Sequence, residues 1–549
     1  MNSSTVYLFN MGVILTFMAF LITKSYGSGY ISQILVNNTL DKVRELDVNT
    51  HIRDYILEQD AYISTLSDLK NILTDEERLL GDDNNVINHP VIFLKLIRGR
   101  STTYTTWLDY YKTIFPRLQN FNETPVVQLQ AMLPAPNDVS KFALGLIITL
   151  EMYGFSVEDL NEGLIDSYKV NPMTFDELVS LCIHSKEEFI TELDKEIYIS
   201  GATTNTLLLI TKAFNLALEK AISKNDRQSV DLLRKASFEL MFAAYNSTDC
   251  GCSDEVFSML QHYKSVLEAK YVIMIEETCK EVSHNKCGKP LRLVPAIRRQ
   301  SQEYCKFSWM ASRDRSSGYF YMHNSDDKRM LKNLKCYIKH DHPSLLYKGG
   351  KIEEVFNGDF SIIILHDVII DSEIEYLKEV GLTSLTPSFV RVVRNVEESV
   401  YTFLRSSRSY ILEDEELPRI KSLRLRLEGL TAFNVFNGSE NTKIGHYGPT
   451  NFFDIHQDKG FVNDRLATII IYLNNAVGGM TLFPGINLAV TPKKGSALVF
   501  PLIYKNGTVI PHLHHVSCPV ILGEKWIATQ WINSMGNEFS YPCSTNRNE

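Results

Sequence analysis

The last third of the chain is a succession of short β-branched and aromatic runs separated by turn residues, and few architectures accept such a pattern. The runs are FSIIILHDVII from Phe360, LTAFNVFN from Leu430, RLATIIIYLN from Arg465, MTLFP from Met480, SALVF from Ser496 and CPVILGEKWIATQWI from Cys518. Gly478-Gly479 and Pro492-Lys493-Lys494-Gly495 supply turns between them. Strands this short gain stability only when several pair and bury a common face, so the pattern predicts a β-sandwich or jelly roll.

The preceding half has a different periodicity. KFALGLIITLEMYGF, FDELVSLCIHSKEEFITELDKEIY, TLLLITKAFNLALEKAISKN and QSVDLLRKASFELMFAAYN place apolar residues three and four apart, which predicts four amphipathic helices. A helical repeat of about 34 residues and a plain helical bundle both fit that spacing. Upstream, DKVRELDVNTHIRDYILEQDAYISTLSDLKNIL is also helical in pattern, without a sustained heptad. A chain of 549 residues exceeds what one core usually serves. The expected order is an apolar leader (1–27), a helical N-terminal region (28–135), a second helical domain (136–290), a cysteine-bearing connector (291–355) and the β domain (356–549). The fold class is therefore α+β and multidomain.

The run from Met11 to Ile22 is too short to cross a bilayer, which takes about 20 residues, and it fits a signal peptide with small residues at Gly27 and Ser28. No later segment has the length of a membrane span. Sequons at Asn37, Asn122, Asn246, Asn437 and Asn506, and nine cysteines, agree with a secretory-pathway lumen. The C-terminal STNRNE is not a retention signal of the KDEL type. A net charge of -9 argues against nucleic-acid binding.

One constellation in the β region can carry chemistry. His456-Gln457-Asp458 is a His-x-Asp whose members, two apart on a strand, reach the same side. His515 follows 59 residues later, with Lys525 ten beyond it. Two histidines and one carboxylate form the facial set of non-haem iron oxygenases, which leaves positions open for cosubstrate and dioxygen. Other groupings read as structure. His340-Asp341-His342 precedes Pro343 in a polar loop, and His366-Asp367 reads as a cap or turn. Cys250-Gly251-Cys252 suits disulfide pairing with Cys279 or Cys287.

RLATIIIYLN, GGMTLFP, TPKKGSALVF, HVSCPVILGEKWIATQWI and the terminal YPC together resemble the catalytic domain of the collagen prolyl 4-hydroxylase α-subunit family. NHPVIFLKLI resembles part of that family's N-terminal dimerisation region, and FSIIILHDVIIDSEIEYLKE its entry to the catalytic domain. The resemblance implies a double-stranded β-helix dioxygenase with Fe(II), 2-oxoglutarate and ascorbate, and a tetratricopeptide-like domain holding proline-rich peptide. It makes His515 the distal metal ligand and Lys525 the anchor of the 2-oxoglutarate distal carboxylate, with His456 and Asp458 as the proximal metal ligands in the displaced register described below. It also implies disulfides Cys518–Cys543 and Cys305–Cys336. Protein disulfide isomerase would be the partner in an α2β2-type assembly within the endoplasmic reticulum lumen.

The family pattern before the proximal ligands is G-x-Y-x-x-H-x-D, and two registers compete for it. Counted without gaps from Gly445, Tyr447, Pro449 and Phe453, it places Thr450 and Phe452 at the ligand positions. Displaced by six residues, it selects His456 and Asp458, provided 448–453 leaves the strand as a loop. The first register predicts a catalytically silent paralogue that binds proline-rich peptide or the isomerase. The second predicts a prolyl 4-hydroxylase.

Overall fold

The computed structural model describes residues 89–99, 101, 136–194, 202–246, 305–307, 309–310, 318–321, 334–388, 390–393, 397–400, 405–458 and 465–544. The expected leader, the sequons at Asn37 and Asn122, and Cys250, Cys252, Cys279 and Cys287 lie outside these residues. The chain divides into a helical unit (76–103 and 134–306) and a unit that includes 307–549.

In the helical unit the elements are α1 (Pro90–Gly99), α2 (Pro136–Tyr153), α3 (Val157–Asn161), a small hairpin of β1 (Leu164–Ile165) and β2 (Tyr168–Lys169), α4 (Phe175–Asp194), α5 (Ala202–Ser223) and α6 (Arg227–Asn246). The sequence specifies their ends. Ser156 caps α3 by accepting from the Asp159 backbone N–H at 2.9 Å. Thr174 and Glu177 form a reciprocal capping box at the start of α4. Leu146, Ile147 and Leu150 of α2, Leu178 and Leu181 of α4, and Ile210 and Phe214 of α5 are buried at helical spacing. α4 and α5 alone have 20 and 22 residues, more than a regular two-helix unit of about 34 accommodates. The described helices form a packed array whose members are longer than those of a regular 34-residue repeat.

The β unit contains β3 (Tyr319–Tyr321), β4 (Cys336–Lys339), β5 (Gly350–Asn357), β6 (Ser361–His366), α7 (Asp371–Ser384), β7 (Thr386–Pro387), β8 (Val390–Val393), β9 (Glu397–Val400), β10 (Arg408–Ile411), α8 (Lys421–Thr431), β11 (Lys443–Tyr447) and β12 (Phe453–His456). It continues with β13 (Arg465–Tyr472), β14 (Val477–Gly478), β15 (Thr481–Phe483), β16 (Leu488–Val490), β17 (Ala497–Pro501), β18 (His515–Ser517), β19 (Val520–Leu522) and β20 (Lys525–Asn533). A nine-stranded major sheet has the order β4-β5-β6-β17-β13-β20-β11-β10-β7, and a five-stranded minor sheet has β12-β18-β15-β16-β3.

The apolar run of β13 has a structural cause. Ile469 and Ile471 pack with Ile374 and Leu377 of α7 and with Leu423, Leu427 and Leu430 of α8. Ile470 and Tyr472 point the other way, into a cluster with Phe483, Leu488 and Val490 of the minor sheet. A strand covered on both faces needs apolar residues at successive positions rather than alternate ones. LTAFNVFN, expected among the β runs, is different. Leu430 and Thr431 end α8, and Ala432 turns the chain at φ 62°, so the segment forms a helix terminus and turns.

Two cysteine expectations are corrected. Cys336 and Cys543 are free and exposed, so neither Cys305–Cys336 nor Cys518–Cys543 is formed. Cys305 and Cys518 are each buried and disulfide-bonded. Cys336 opens an edge strand and Cys543 lies in the terminal coil. Neither is buried with the cysteine expected to pair with it.

Candidate metal and anion site

β11 belongs to the major sheet and β12 to the minor one, and residues 448–452 carry the chain between them. Thr450 sits in this crossing with φ 66°, its N–H donating to the Val520 carbonyl at 2.8 Å. Phe452 is buried there, and its N–H donates to Ser406 Oγ at 2.9 Å. Neither is among the residues that converge on the site. The crossing ends the ungapped strand on which the Thr450/Phe452 register depended. Relative to His456, the aromatic position of the pattern falls on Phe453 and its glycine on Asn451.

His456 ends β12 and pairs across the ladder with His515, the first residue of β18. Asp458, two residues on, reaches the same side. Their ligand atoms lie within 4.8 Å of one another. His456 Nε2 is 3.7 Å from one carboxylate oxygen of Asp458, and His515 Nε2 is 3.7 Å from the other.

The ring orientations fit metal ligation. His456 Nδ1 lies 2.7 Å from the Asp454 carbonyl and His515 Nδ1 3.3 Å from the Leu513 carbonyl. A carbonyl only accepts, so each Nδ1 carries the hydrogen and each Nε2 presents a lone pair toward Asp458. Burial pushes both imidazoles below their ordinary pKa, and the nearby His515 lowers His456 further. Burial would raise Asp458, but His515, His456 and the Thr468 hydroxyl hold it ionised; Thr468 Oγ1 donates to Asp458 Oδ2 at 2.9 Å. Two neutral imidazoles and one carboxylate, fixed from behind, form a donor set suited to a divalent ion.

Lys525 opens β20 and faces the same cleft. Its side chain is 1% exposed. Nζ donates to the Gly479 carbonyl at 2.6 Å and to Ser517 Oγ at 2.9 Å, and lies 5.2 Å from the Tyr447 ring. Gly479 has φ 66°, and a Cβ there would lie 3.1 Å from Lys525 Cδ, so glycine is needed for this approach. Among the described residues no carboxylate pairs with Lys525, and burial pushes it down to about 7. A buried cation with neutral partners and an open cleft before it is a receptor for an anion.

Sequence reading missed Arg405, Lys443 and Trp531, which line the cleft, and Thr468, which holds Asp458 from behind. Lys443, Gly445 and Tyr447 alternate along β11, and that alternation was the available signal for Lys443. The groups read as structural are structural. His342 caps a short 3₁₀ turn, and His366 is 2.8 Å from Glu353 on the neighbouring strand.

The family described as the 2OG-Fe(II) oxygenase superfamily matches residues 442–533, which hold the three candidate ligands and Lys525. The prolyl 4-hydroxylase α-subunit N-terminal region matches residues 43–167. Prolyl 4-hydroxylase subunit alpha-2 of Gallus gallus is 23% identical over 535 residues, 91% of this chain and 92% of that protein. Prolyl 4-hydroxylase subunit alpha-2 of Caenorhabditis elegans is 32% identical over 229 residues, 40% of this chain and 42% of that protein. Among solved structures, a viral collagen prolyl hydroxylase from Paramecium Bursaria Chlorella virus-1 is 23% identical, with a TM-score of 0.25, covering 32% of this chain and 96% of that one. Through these two matched regions, and at low identity along most of its length, the chain is similar to prolyl 4-hydroxylase α subunits, and its residues 442–533 carry the 2OG-Fe(II) oxygenase domain.

Proposed function

We propose that this chain hydroxylates proline in collagen-like or other proline-rich peptides, using Fe(II), 2-oxoglutarate and dioxygen. One observation carries the reading: His456, Asp458 and His515 converge with their lone pairs turned inward, while Lys525 is buried with no counterion among the described residues. His456, Asp458 and His515 would hold the iron. Bound there, iron(II) supplies the chemistry that couples oxidative decarboxylation of 2-oxoglutarate by dioxygen to oxygen insertion into a proline C–H bond. Lys525 would pair with the cosubstrate's distal carboxylate and set its depth in the cleft, while Ser517 and the Gly479 carbonyl hold the ammonium in place. Thr468 keeps the Asp458 carboxylate oriented. The apolar wall of Phe483 and Phe500 against His515 limits water on the protein side.

The remaining features belong to the same proposal. Ascorbate would restore iron oxidised in turnovers not coupled to peptide. The helical unit would hold proline-rich peptide. Protein disulfide isomerase would join an α2β2-type assembly in the endoplasmic reticulum lumen, reached by the leader at 1–27. The silent-paralogue reading relied on Thr450 and Phe452 as ligand positions, and both residues lie in the crossing instead.

The test is to incubate the full chain with a proline-rich peptide, Fe(II), 2-oxoglutarate and ascorbate in air, then measure succinate and 4-hydroxyproline. The expected result is hydroxyproline that requires iron and 2-oxoglutarate and disappears in Asp458→Ala. Folded protein that gives no hydroxyproline with any proline-rich peptide would contradict the reading.

A further inference from the structure

The cleft is lined by three cationic side chains, Arg405, Lys443 and Lys525, but by a single carboxylate, Asp458. The proposed function, on which this inference rests, assigns two of these four. Asp458 faces the metal, and Lys525 faces one end of the cosubstrate, whose other end meets the metal. Arg405 and Lys443 then have no anion.

The charge of Asp458 acts on both, and that of Glu440 on Lys443, but at a distance. Among the described residues, no carboxylate forms an ion pair with Arg405 or Lys443. Glu440, a near acidic group, already makes two bonds to Arg465. Arg405 donates to Ser407 Oγ at 3.1 Å and its guanidinium lies 4.3 Å from the Phe453 ring, which in turn stacks on His456 at 3.5 Å between ring centroids. Lys443 Nζ lies 5.5 Å from the Trp531 ring, with Arg465 on the same ring at 3.8 Å. Burial, followed by the charge of Arg405, pushes Lys443 down to about 7. Cations in such surroundings are costly unless an anion joins them.

The cosubstrate does not reach this position. Tyr447 pairs with Lys525 and Lys443 with Thr529 along the same two strands, so Lys443 and Lys525 stand four residues apart, about 14 Å. A five-carbon dicarboxylate anchored on Lys525 and the metal has no carboxylate left for the far end. Lys443 therefore stands at the end of the cleft away from Lys525, with the Arg405 charge acting on it.

We propose that Arg405 and Lys443 form an anion subsite that selects peptides carrying Asp or Glu beside the reacting proline. The occupant is a side-chain carboxylate of the substrate itself. A neutral collagen-like repeat is accepted less well.

The test measures binding, so it does not need turnover. Fluorescein-labelled proline-rich peptides, identical except for Glu, Gln or Lys beside the central proline, are titrated into the full chain at low and moderate salt, with anisotropy as the readout. The expected order is Glu tighter than Gln by about tenfold, with Lys weakest, and the differences shrink with salt. Lys443→Glu reverses the order. Lys443→Met, which removes a buried charge and so is not expected to unfold the domain, narrows it. Equal affinities for the three peptides in the wild type, or an order that Lys443→Glu leaves unchanged, overturns the proposal. Hydroxylation without charge ranking would sink this inference alone, whereas charge ranking without hydroxylation would support the subsite and count against the proposed reaction.

Discussion

The two sheets of the β unit divide the site's work between them. The major sheet is built from long strands such as β13 and β20, of eight and nine residues, clamped between the helices and the opposing sheet. It contributes the cations Lys443 and Lys525. The minor sheet has strands of three or four residues, yet it contributes both histidines and leads directly into Asp458. Short strands are weak platforms by themselves, and here they are held by contacts to the larger sheet, notably Thr468 of β13 on Asp458 and Lys525 of β20 on Ser517 of β18. Placing metal ligands on one sheet and anion receptors on the other means that a dicarboxylate chelated at one end and ion-paired at the other spans the sandwich. Binding of the cosubstrate then depends on the spacing between sheets.

The largest effect should come from the minor sheet. His456→Ala or Asp458→Ala removes one of three ligands, and hydroxylation should fall by about a thousandfold or more, with iron content by metal analysis falling in parallel. An iron-replete, active His456→Ala protein would break the division just described.

Lys525→Met should act on the other side. Loss of a buried charge pair typically costs a few kcal/mol, so the KM for 2-oxoglutarate should rise about a hundredfold while iron content holds. Because the side chain is a cation buried among neutral groups, thermal stability without cosubstrate should be unchanged or higher in this variant. Loss of iron in step with 2-oxoglutarate affinity would mean that the two sheets do not act separately.

Thr468→Val tests the tie between them. It keeps the shape but removes the hydrogen bond to Asp458, and iron affinity should weaken about tenfold, the usual scale for a lost partner behind a metal ligand.

The same lysine gives a pH dependence. Burial holds it near 7 in the folded, ligand-free protein, against 10.5 for an ordinary lysine. An anion requires the charged form, so 2-oxoglutarate affinity should be highest below about pH 7. It should weaken as pH rises above it, by up to about tenfold per unit until the raised pKa of the bound state is passed. The sign for folding is opposite. The unfolded chain binds more protons between 7 and 10.5, so this residue's penalty on stability diminishes across that window. Lys525→Met should abolish both trends.

The smallest effects concern the cysteines. Cys336→Ser and Cys543→Ser alter exposed free thiols, and each should shift stability by less than about 0.5 kcal/mol in a denaturant titration.

Much of this organisation was legible in the sequence. The apolar runs of β13, β17 and β20 announce buried strands, and the three-and-four spacing of 141–246 announces helices, because each pattern is what burial on that element requires. His456, Asp458, His515 and Lys525 were legible as a set through their order and spacing. The register ambiguity arose because the motif before His456 spans two sheets. A count along one strand from Gly445 and Tyr447 cannot include the crossing at 448–452, where Thr450 adopts a left-handed turn. Arg405 was not legible, since nothing local ties it to a site 51 residues away; only the three-dimensional stack on Phe453 does. The cysteine partners were hidden for a similar reason: pairing depends on which thiols are buried together, and sequence shows only which are present.

The most direct test of the central claim is an anaerobic titration of the purified full chain with Fe(II) and 2-oxoglutarate, followed by visible absorption. Bidentate 2-oxoglutarate on iron held by two histidines and a carboxylate gives a charge-transfer band. The account predicts a saturable band that is lost in His456→Ala and that needs far more 2-oxoglutarate in Lys525→Met. No band in folded wild-type protein, or a band indifferent to His456, would contradict it.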